Sequence, residues 1–273
     1  MPITPNSTLC GRTSVANDTF EQALDLIVGA GQTMLENGGE VFRAQQTMEI
    51  MARSLHVEKF HVYVLTNGIF ASALPESGES VSMVRHVPLV SIHLGRVEAV
   101  NELSRELAAG KLDLAQAQQK LKDARAIGDA SPRVERLACI VGSGCFAFLF
   151  GGWLIEMAVA AVAGLLESII CQQFGKRHIN RIFTDIIAAG LCTLWALGVR
   201  FFVPTLDVNT ATIGALMVLT PGVALTMGIR DIINADYLSG AIRLLDAVLI
   251  AGSIACGVVL AWLIGGGLGA IVW

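Results

Sequence analysis

Three acids, Glu156, Glu167 and Asp185, stand in or beside long apolar stretches of this 273-residue chain. A charge held in hydrocarbon costs several kcal/mol, roughly 2.5 or more at midspan, so each such group needs a partner or a task. Proton coupling along a solute path is the task these residue types suit. Glu156 and Asp185 lie within a turn of the ends of their apolar runs, where the cost falls away. Interfacial or helix-pairing polar groups are therefore the plain alternative for all three.

A denser polar set follows at Thr220-Pro221-Gly222, Thr226, Arg230-Asp231, Asn234, Asp236, Ser239 and Arg243. Proline and glycine inside an apolar run break the helix and free backbone groups, and the half-helix that resumes turns its positive end toward an anion such as a carboxylate. On this reading Pro221, Gly222, Thr226, Arg230, Asp231, Asp236, Ser239 and Arg243 line a substrate path for a small carboxylate-bearing solute. On the alternative reading Pro221 only kinks a helix, and the charges after it form a solvated, salt-paired loop. The residues leave both open.

Other chemistry leaves no trace. Neither GxGxxG, P-loop, HExxH nor nucleophile-elbow spacing occurs in the N-terminal half, and no nucleophile, base and orienting group are spaced for catalysis, so no catalytic residue, cofactor or enzymatic activity is expected. Cys139, Cys145, Cys171, Cys192 and Cys256 fall in apolar stretches without zinc or CxxC spacing and read as small buried hydrophobes. His56, His61, His86 and His93 lie before residue 94; alternating strand positions would bring some together as metal ligands, but surface or hydrogen-bonded histidines explain them equally well, and no metal site is assigned. A net charge of −4 without a Lys/Arg-rich run gives no footprint for nucleic acid.

The elements that carry these residues follow from composition. The chain is 53% hydrophobic and 15% charged, and 29 of its 42 charged residues lie before residue 137. This asymmetry predicts a tail at 1–17, disordered; a small cytoplasmic α+β domain at 18–130; and a membrane all-α bundle at 133–273. The polar first residues lack the apolar core of a secretory signal, which keeps the α+β domain in the cytoplasm. In that domain a helix opens near Asp18 or Thr19 and stops at Asn37-Gly38-Gly39. A second helix runs from about Glu40 to Leu55, with Val41, Gln45, Met48, Ala52 and Leu55 on one face. Phe60–Thr66 and Ile69–Leu74 alternate around Asn67-Gly68 and predict a hairpin turning at those two residues, with a third strand over Ser80–Val87 after the turn Pro75-Glu76-Ser77-Gly78. Helices carrying Val100, Leu103 and Leu107, then Leu114, Ala117, Leu121 and Ala124, cover the sheet, the last opened by an Asp113/Gln116 capping pair.

At about 20 residues per span, the remainder divides into about five transmembrane helices at 136–152, 153–172, 182–202, 210–229 and 241–264, the first two turning at Gly151-Gly152 with Trp153 as an interfacial anchor. Lys176, Arg177 and Arg181 fall in one short loop and Arg230 and Arg243 bracket another, against only Arg200 on the opposite side. That bias predicts a multi-pass protein of the bacterial cytoplasmic (inner) membrane, N-terminus inside and C-terminus outside. Small residues throughout the spans suit close helix packing and homo- or hetero-oligomers in the lipid bilayer.

The stretch PGVALTMGIRDIINADYLSGAIRLLDAVLIAGSIACGV, residues 221–258, resembles the signature region of the threonine/serine exporter (ThrE) family. ENGGEVFRAQQTMEIMARSL, residues 36–55, and LGRVEAVNELSRELAAGKLDLAQAQQKL, residues 94–121, resemble that family's opening helix and later helical pair. The matching motif residues are Pro221, Gly222, Arg230, Asp231, Ser239, Gly240 and Arg243; Ala235-Asp236 stands where Gly-Asp is common, and Asp246 where Glu is. The resemblance implies a cytoplasmic N-terminal domain, five spans, and export of threonine and serine, or of a dicarboxylate such as succinate in the YjjP-like branch. Single-chain exporters of this kind continue into a second membrane module, so it also implies a separate small YjjB-like membrane subunit. A non-transporting regulatory or assembly subunit, whose soluble domain binds a ligand, is the alternative.

Overall fold

The structure is a computed structural model that describes residues 7–75, 78, 80–88, 92–177 and 179–269, with side chains described between residues 18 and 265. The described residues form ten helices and a three-stranded sheet, and the chain divides into two compact units, Met1–Asp129 with Met227–Arg243, and Ala130–Thr226 with Leu244–Trp273.

The first unit opens with α1, Ser7–Glu36, which begins well before the expected Asp18. Residues 1–6 lie outside the described residues. Its apolar positions Leu24, Ile27, Val28 and Met34 recur at helical spacing and are fully buried. The helix stops where Gly38 turns to φ 83°, with Gly38 N donating to Leu35 O and Gly39 N to Met34 O, the paired bonds that close a helix on a left-handed residue. Helix α2, Val41–Ser54, buries Val41, Ala44, Thr47, Met48, Met51 and Ala52, a stripe rotated from the expected one so that Ala44 and Met51 are buried and Gln45 and Leu55 only half-buried. Gly31 lets α2 approach, because a Cβ there would strike the Met48 thioether.

Strands β1 (His61–Leu65), β2 (Gly68–Ala73) and β3 (Val81–His86) form an antiparallel sheet in sequence order. The turn residues are Thr66 and Asn67, because Leu65 pairs with Gly68; the expected Asn67-Gly68 turn is displaced by one residue. The observed register sets Val64 opposite Ile69 on the buried face and Tyr63 opposite Phe70 on the outer face, with ring centroids 6.5 Å apart, and such cross-strand pairs decide between neighbouring registers. Glu76 and Ser77 of the following turn lie outside the described residues. Helices α3 (Leu94–Ala108) and α4 (Leu114–Ala126) bury Val100, Leu103, Leu107, Ala117, Leu121 and Ala124 and half-bury Leu114, but they pack on α1 and α2, and it is α1 and α2 rather than this pair that lie against the sheet, contrary to expectation. The Asp113/Gln116 capping box is formed: Gln116 N donates to Asp113 Oδ1 at 2.7 Å and Asp113 N to Gln116 Oε1 at 3.1 Å.

The second unit holds α5 (Pro132–Leu149), α6 (Leu154–Lys176), α7 (Arg181–Phe202), α8 (Val208–Leu216), the start of α9 (Gly222–Ile233) and most of α10 (Tyr237–Gly269). Among the described residues three helical stretches, Leu154–Lys176, Arg181–Phe202 and Tyr237–Gly265, are long and apolar enough to cross a membrane. The expected first span falls in α5, whose first turns carry Arg133, Glu135 and Arg136. The expected fourth span, 210–229, is divided between α8 and α9. The turn at Gly151-Gly152 stands where expected, Gly151 having φ 91° and Gly152 N donating to Ala147 O. Helices pack by close backbone approach: a Cβ on Gly214 would lie 2.6 Å from Ala147, and one on Gly257 would meet Ile186 O and, at 3.0 Å, Gly190 N. Of the cysteines, Cys192 is buried and Cys139 and Cys171 half-buried, but Cys145 and Cys256 are exposed on outward helix faces, contrary to their expected burial. An apolar stretch that faces lipid need not be buried in protein.

Candidate functional site

The helix break foreseen at Pro221-Gly222 is present: α8 ends at Leu216 and α9 begins at Gly222. Thr220 Oγ1 donates to Met217 O at 2.6 Å and Thr226 Oγ1 to Gly222 O at 3.0 Å, so both hydroxyls serve the backbone of their own segment. Pro221, Gly222 and Thr226 belong to the second unit, whereas Arg230, Asp231, Asp236, Ser239 and Arg243 belong to the first. The eight candidates are thus not gathered in one compact unit.

In the first unit, α9 and α10 are joined by a tight turn. Asp236 N donates to Asp231 O at 2.9 Å and Ala235 N to Ile232 O at 3.0 Å, the same closure that ends α1, with Ala235 at φ 67° in the place a glycine suits. Gly240 permits the turn's two arms to meet, since a Cβ there would lie 2.8 Å from Gly228 O.

This turn carries two ion pairs. Arg243 Nε lies 3.1 Å from Asp231 Oδ2, with 16% and 2% of the side chains exposed, and the N–H is not aligned for a hydrogen bond. Arg243 Nη2 instead donates to Gly39 O at 3.1 Å. Arg230 Nη1 donates to Glu40 Oε1 at 2.6 Å; here the guanidinium is 57% and the carboxylate 16% exposed. Burial pushes the Asp231 carboxyl above its ordinary value, and the Arg243 guanidinium opposes that shift. Ser239 is fully buried and its Oγ lacks a hydrogen-bond partner among the described residues. Gly39 and Glu40 were absent from the sequence reading of the site. Their segment stood out as a helix stop, but a partner some 190 residues away in the chain leaves no periodic signal.

In the second unit the three acids differ. Glu156 is a helix-terminal clamp: Oε2 accepts from Trp153 N at 2.9 Å and Oε1 from Asp207 N at 3.1 Å, joining the start of α6 to the start of α8. Glu167, in the middle of α6, is 2% exposed and its Oε2 has no hydrogen-bond partner among the described residues. Asp185, one turn into α7, is 3% exposed and lies 3.7 Å from Arg181 Nε. Among the histidines, His93 Nδ1 accepts from Arg96 N as the cap of α3, and His61 and His86 stand at opposite ends of the sheet, so the strands do not bring them together.

The family described as "Putative threonine/serine exporter" matches residues 25–265. A protein of Mycobacterium tuberculosis named "Probable threonine/serine exporter" is 23% identical over 247 residues, covering 88% of this chain and 45% of that protein, so the chain spans less than half the length of its relative. No solved structure matches. With its apolar helices the match identifies a multi-pass membrane protein, and the chain belongs to the threonine/serine exporter family.

Proposed function

We propose that the chain is a subunit of an exporter of small carboxylate-bearing metabolites, threonine and serine or a dicarboxylate such as succinate, working with a separate small YjjB-like membrane subunit. The family match over residues 25–265 carries this reading. The protein would sit in the bacterial inner membrane with its 18–130 domain and N-terminus in the cytoplasm, five spans within 133–273, and the C-terminus outside. The interrupted segment at Pro221-Gly222 would be the fourth span, since broken helices at membrane depth are tolerated where they line a cavity. Arg230 and Arg243 would receive the solute carboxylate, with Thr226, Asp231, Asp236 and Ser239 along the path.

Proton coupling falls to Glu167 and Asp185 in this scheme. Glu167 has the burial and the unpaired oxygen of a group that takes up a proton, while both oxygens of Glu156 already accept backbone bonds. A pH profile of flux that is unchanged in Glu167→Gln would remove that role.

Export of labelled threonine, serine and succinate from proteoliposomes, with and without the companion subunit, tests the function. Flux only with both proteins supports the two-component exporter. Flux with this chain alone removes the partner, and none in either case shifts the assignment to a regulatory or assembly subunit. That second reading is favoured by one observation, that Arg230 and Arg243 already have acidic partners.

A further inference from the structure

Positive and negative groups alternate around the α9–α10 turn, Glu40 on Arg230 and Asp231 on Arg243. Glu40 occupies the N-cap of α2 in an extended conformation, φ −72° and ψ 142°, yet its side chain makes no capping bond to that helix. Its carboxylate goes to Arg230 instead. The residue before it is fixed, because a Cβ on Gly39 would lie 2.7 Å from Met34 O, and Gly39 O holds Arg243. Glu40 is thus set on Arg230, with the carbonyl before it on Arg243, at the expense of a cap that Ser, Asp or Asn would supply better.

The network is not closed. Asp231 Oδ2, Arg243 Nε and Ser239 Oγ are buried without a hydrogen-bond partner among the described residues, and Ser239 stands one turn before Arg243 on the same face of α10. Asp231 Oδ2 and Arg243 Nε offset each other as an ion pair at 3.1 Å, which leaves Ser239 Oγ as a buried hydroxyl that can serve a polar group brought to this turn. Arg230 is more than half exposed and spends one of its five N–H donors on Glu40, which leaves donors for an arriving carboxylate. The pair is open to solvent on its Arg230 side, so a solute carboxylate can reach the guanidinium while Glu40 stays in place beside it.

We propose that Glu40 is a specificity-determining residue of the solute site: it pairs with Arg230 in the empty protein and takes the ammonium group of a zwitterionic amino acid whose carboxylate joins it on Arg230. One cation and one anion on the solute then meet one anion and one cation on the protein. A dicarboxylate would set its second negative charge against Glu40 and Asp231, and such like-charge contacts reject a competitor. The assignment rests on the exporter reading for its solute and chooses amino acids over dicarboxylates within it.

Calorimetric titration of the purified full chain with L-threonine, succinate and 3-hydroxybutyrate, which is threonine without its ammonium group, tests this at neutral pH. The parental chain should bind threonine at least tenfold more tightly than either of the others. Glu40→Gln should weaken threonine binding at least tenfold and abolish its advantage over 3-hydroxybutyrate, while Glu40→Asp keeps the preference. The proposal is overturned if 3-hydroxybutyrate or succinate binds the parental chain as tightly as threonine, if threonine does not bind, or if Glu40→Gln binds threonine at the parental affinity. The parental comparison decides the matter even if Glu40→Gln fails to fold. Glu40-dependent threonine binding by a protein that transports nothing would retire the exporter reading and keep the site; threonine flux with binding indifferent to Glu40 would do the reverse.

Discussion

Ala235 pays a conformational cost that its neighbours explain. It sits at φ 67° because the paired bonds that close α9 demand a left-handed residue, and an L side chain there is disfavoured by about 1–2 kcal/mol relative to glycine. Ala235→Gly should therefore raise stability by about 1 kcal/mol, read as a higher thermal midpoint of the detergent-solubilised protein. Asp207 makes a second local prediction. As N-cap of α8 it accepts from Asn209 N at 3.0 Å and Thr210 Oγ1 at 2.5 Å, and the Thr210 hydroxyl chiefly holds its carboxyl below the ordinary value. A depressed carboxyl stabilises the fold above its unfolded pKa, and that contribution is lost as pH falls through the folded one. Asp207→Ala should cost about 1 kcal/mol at neutral pH, and the difference from the parental protein should shrink below about pH 4; a pH-independent difference would show that the carboxylate charge is not what matters. At this scale the sequence was legible where chemistry is local. The Asp113/Gln116 box and the break at Pro221-Gly222 each follow from side chains within a few residues of the bonds they make or remove. The pairing of Arg230 with Glu40 does not, because nothing within a turn of either residue encodes its partner, and the clamp made by both oxygens of Glu156 depends on a loop contributed by a different helix.

Among the elements, helical periodicity in the first unit located α1 to α4, and the buried positions of α3 and α4 match the apolar spacing. The stripe of α2 is turned so that Ala44 and Met51 join Val41, Met48 and Ala52 in the core, with Met48 packed on Gly31 of α1. The hairpin shifted by one residue because the turn signal of Asn67-Gly68 competes with two cross-strand pairs, Val64 with Ile69 and Tyr63 with Phe70, and the pairs prevail. In the second unit the abundance of glycine signalled close helix packing in general, but only the structure separates the glycines that are needed from those that are not. A Cβ at Gly257 would run into the backbone of α7, which cannot give way as a side chain tip can, whereas Gly252, on the same helix, faces open space. Gly257→Val should cost about 2 kcal/mol, in the range of overpacked cores, and Gly252→Val should be close to neutral. Equal effects of the two, measured by thermal unfolding in one detergent, would mean that the α7–α10 approach is not the cause.

For the whole molecule, composition divides the chain near residue 130, and the structure adds a feature that a linear division omits: Met227–Arg243 belongs to the compact unit of the N-terminal segment although it lies between apolar stretches. The two arginines of the proposed site are both in that segment, paired with Glu40 and Asp231 and bonded to Gly39, so the residues that read as a solute path from sequence are also those that tie α9 and α10 to the start of α2. In the proposed function these arginines receive the carboxylate of an exported solute. The most direct measurement is efflux of labelled threonine from proteoliposomes holding the chain and its companion subunit, comparing the parental protein with Arg230→Ala and Arg243→Ala at equal amounts of inserted protein. Losses of at least tenfold in both variants are predicted; efflux at the parental rate from either would contradict the assignment of that arginine, and from both would remove the site.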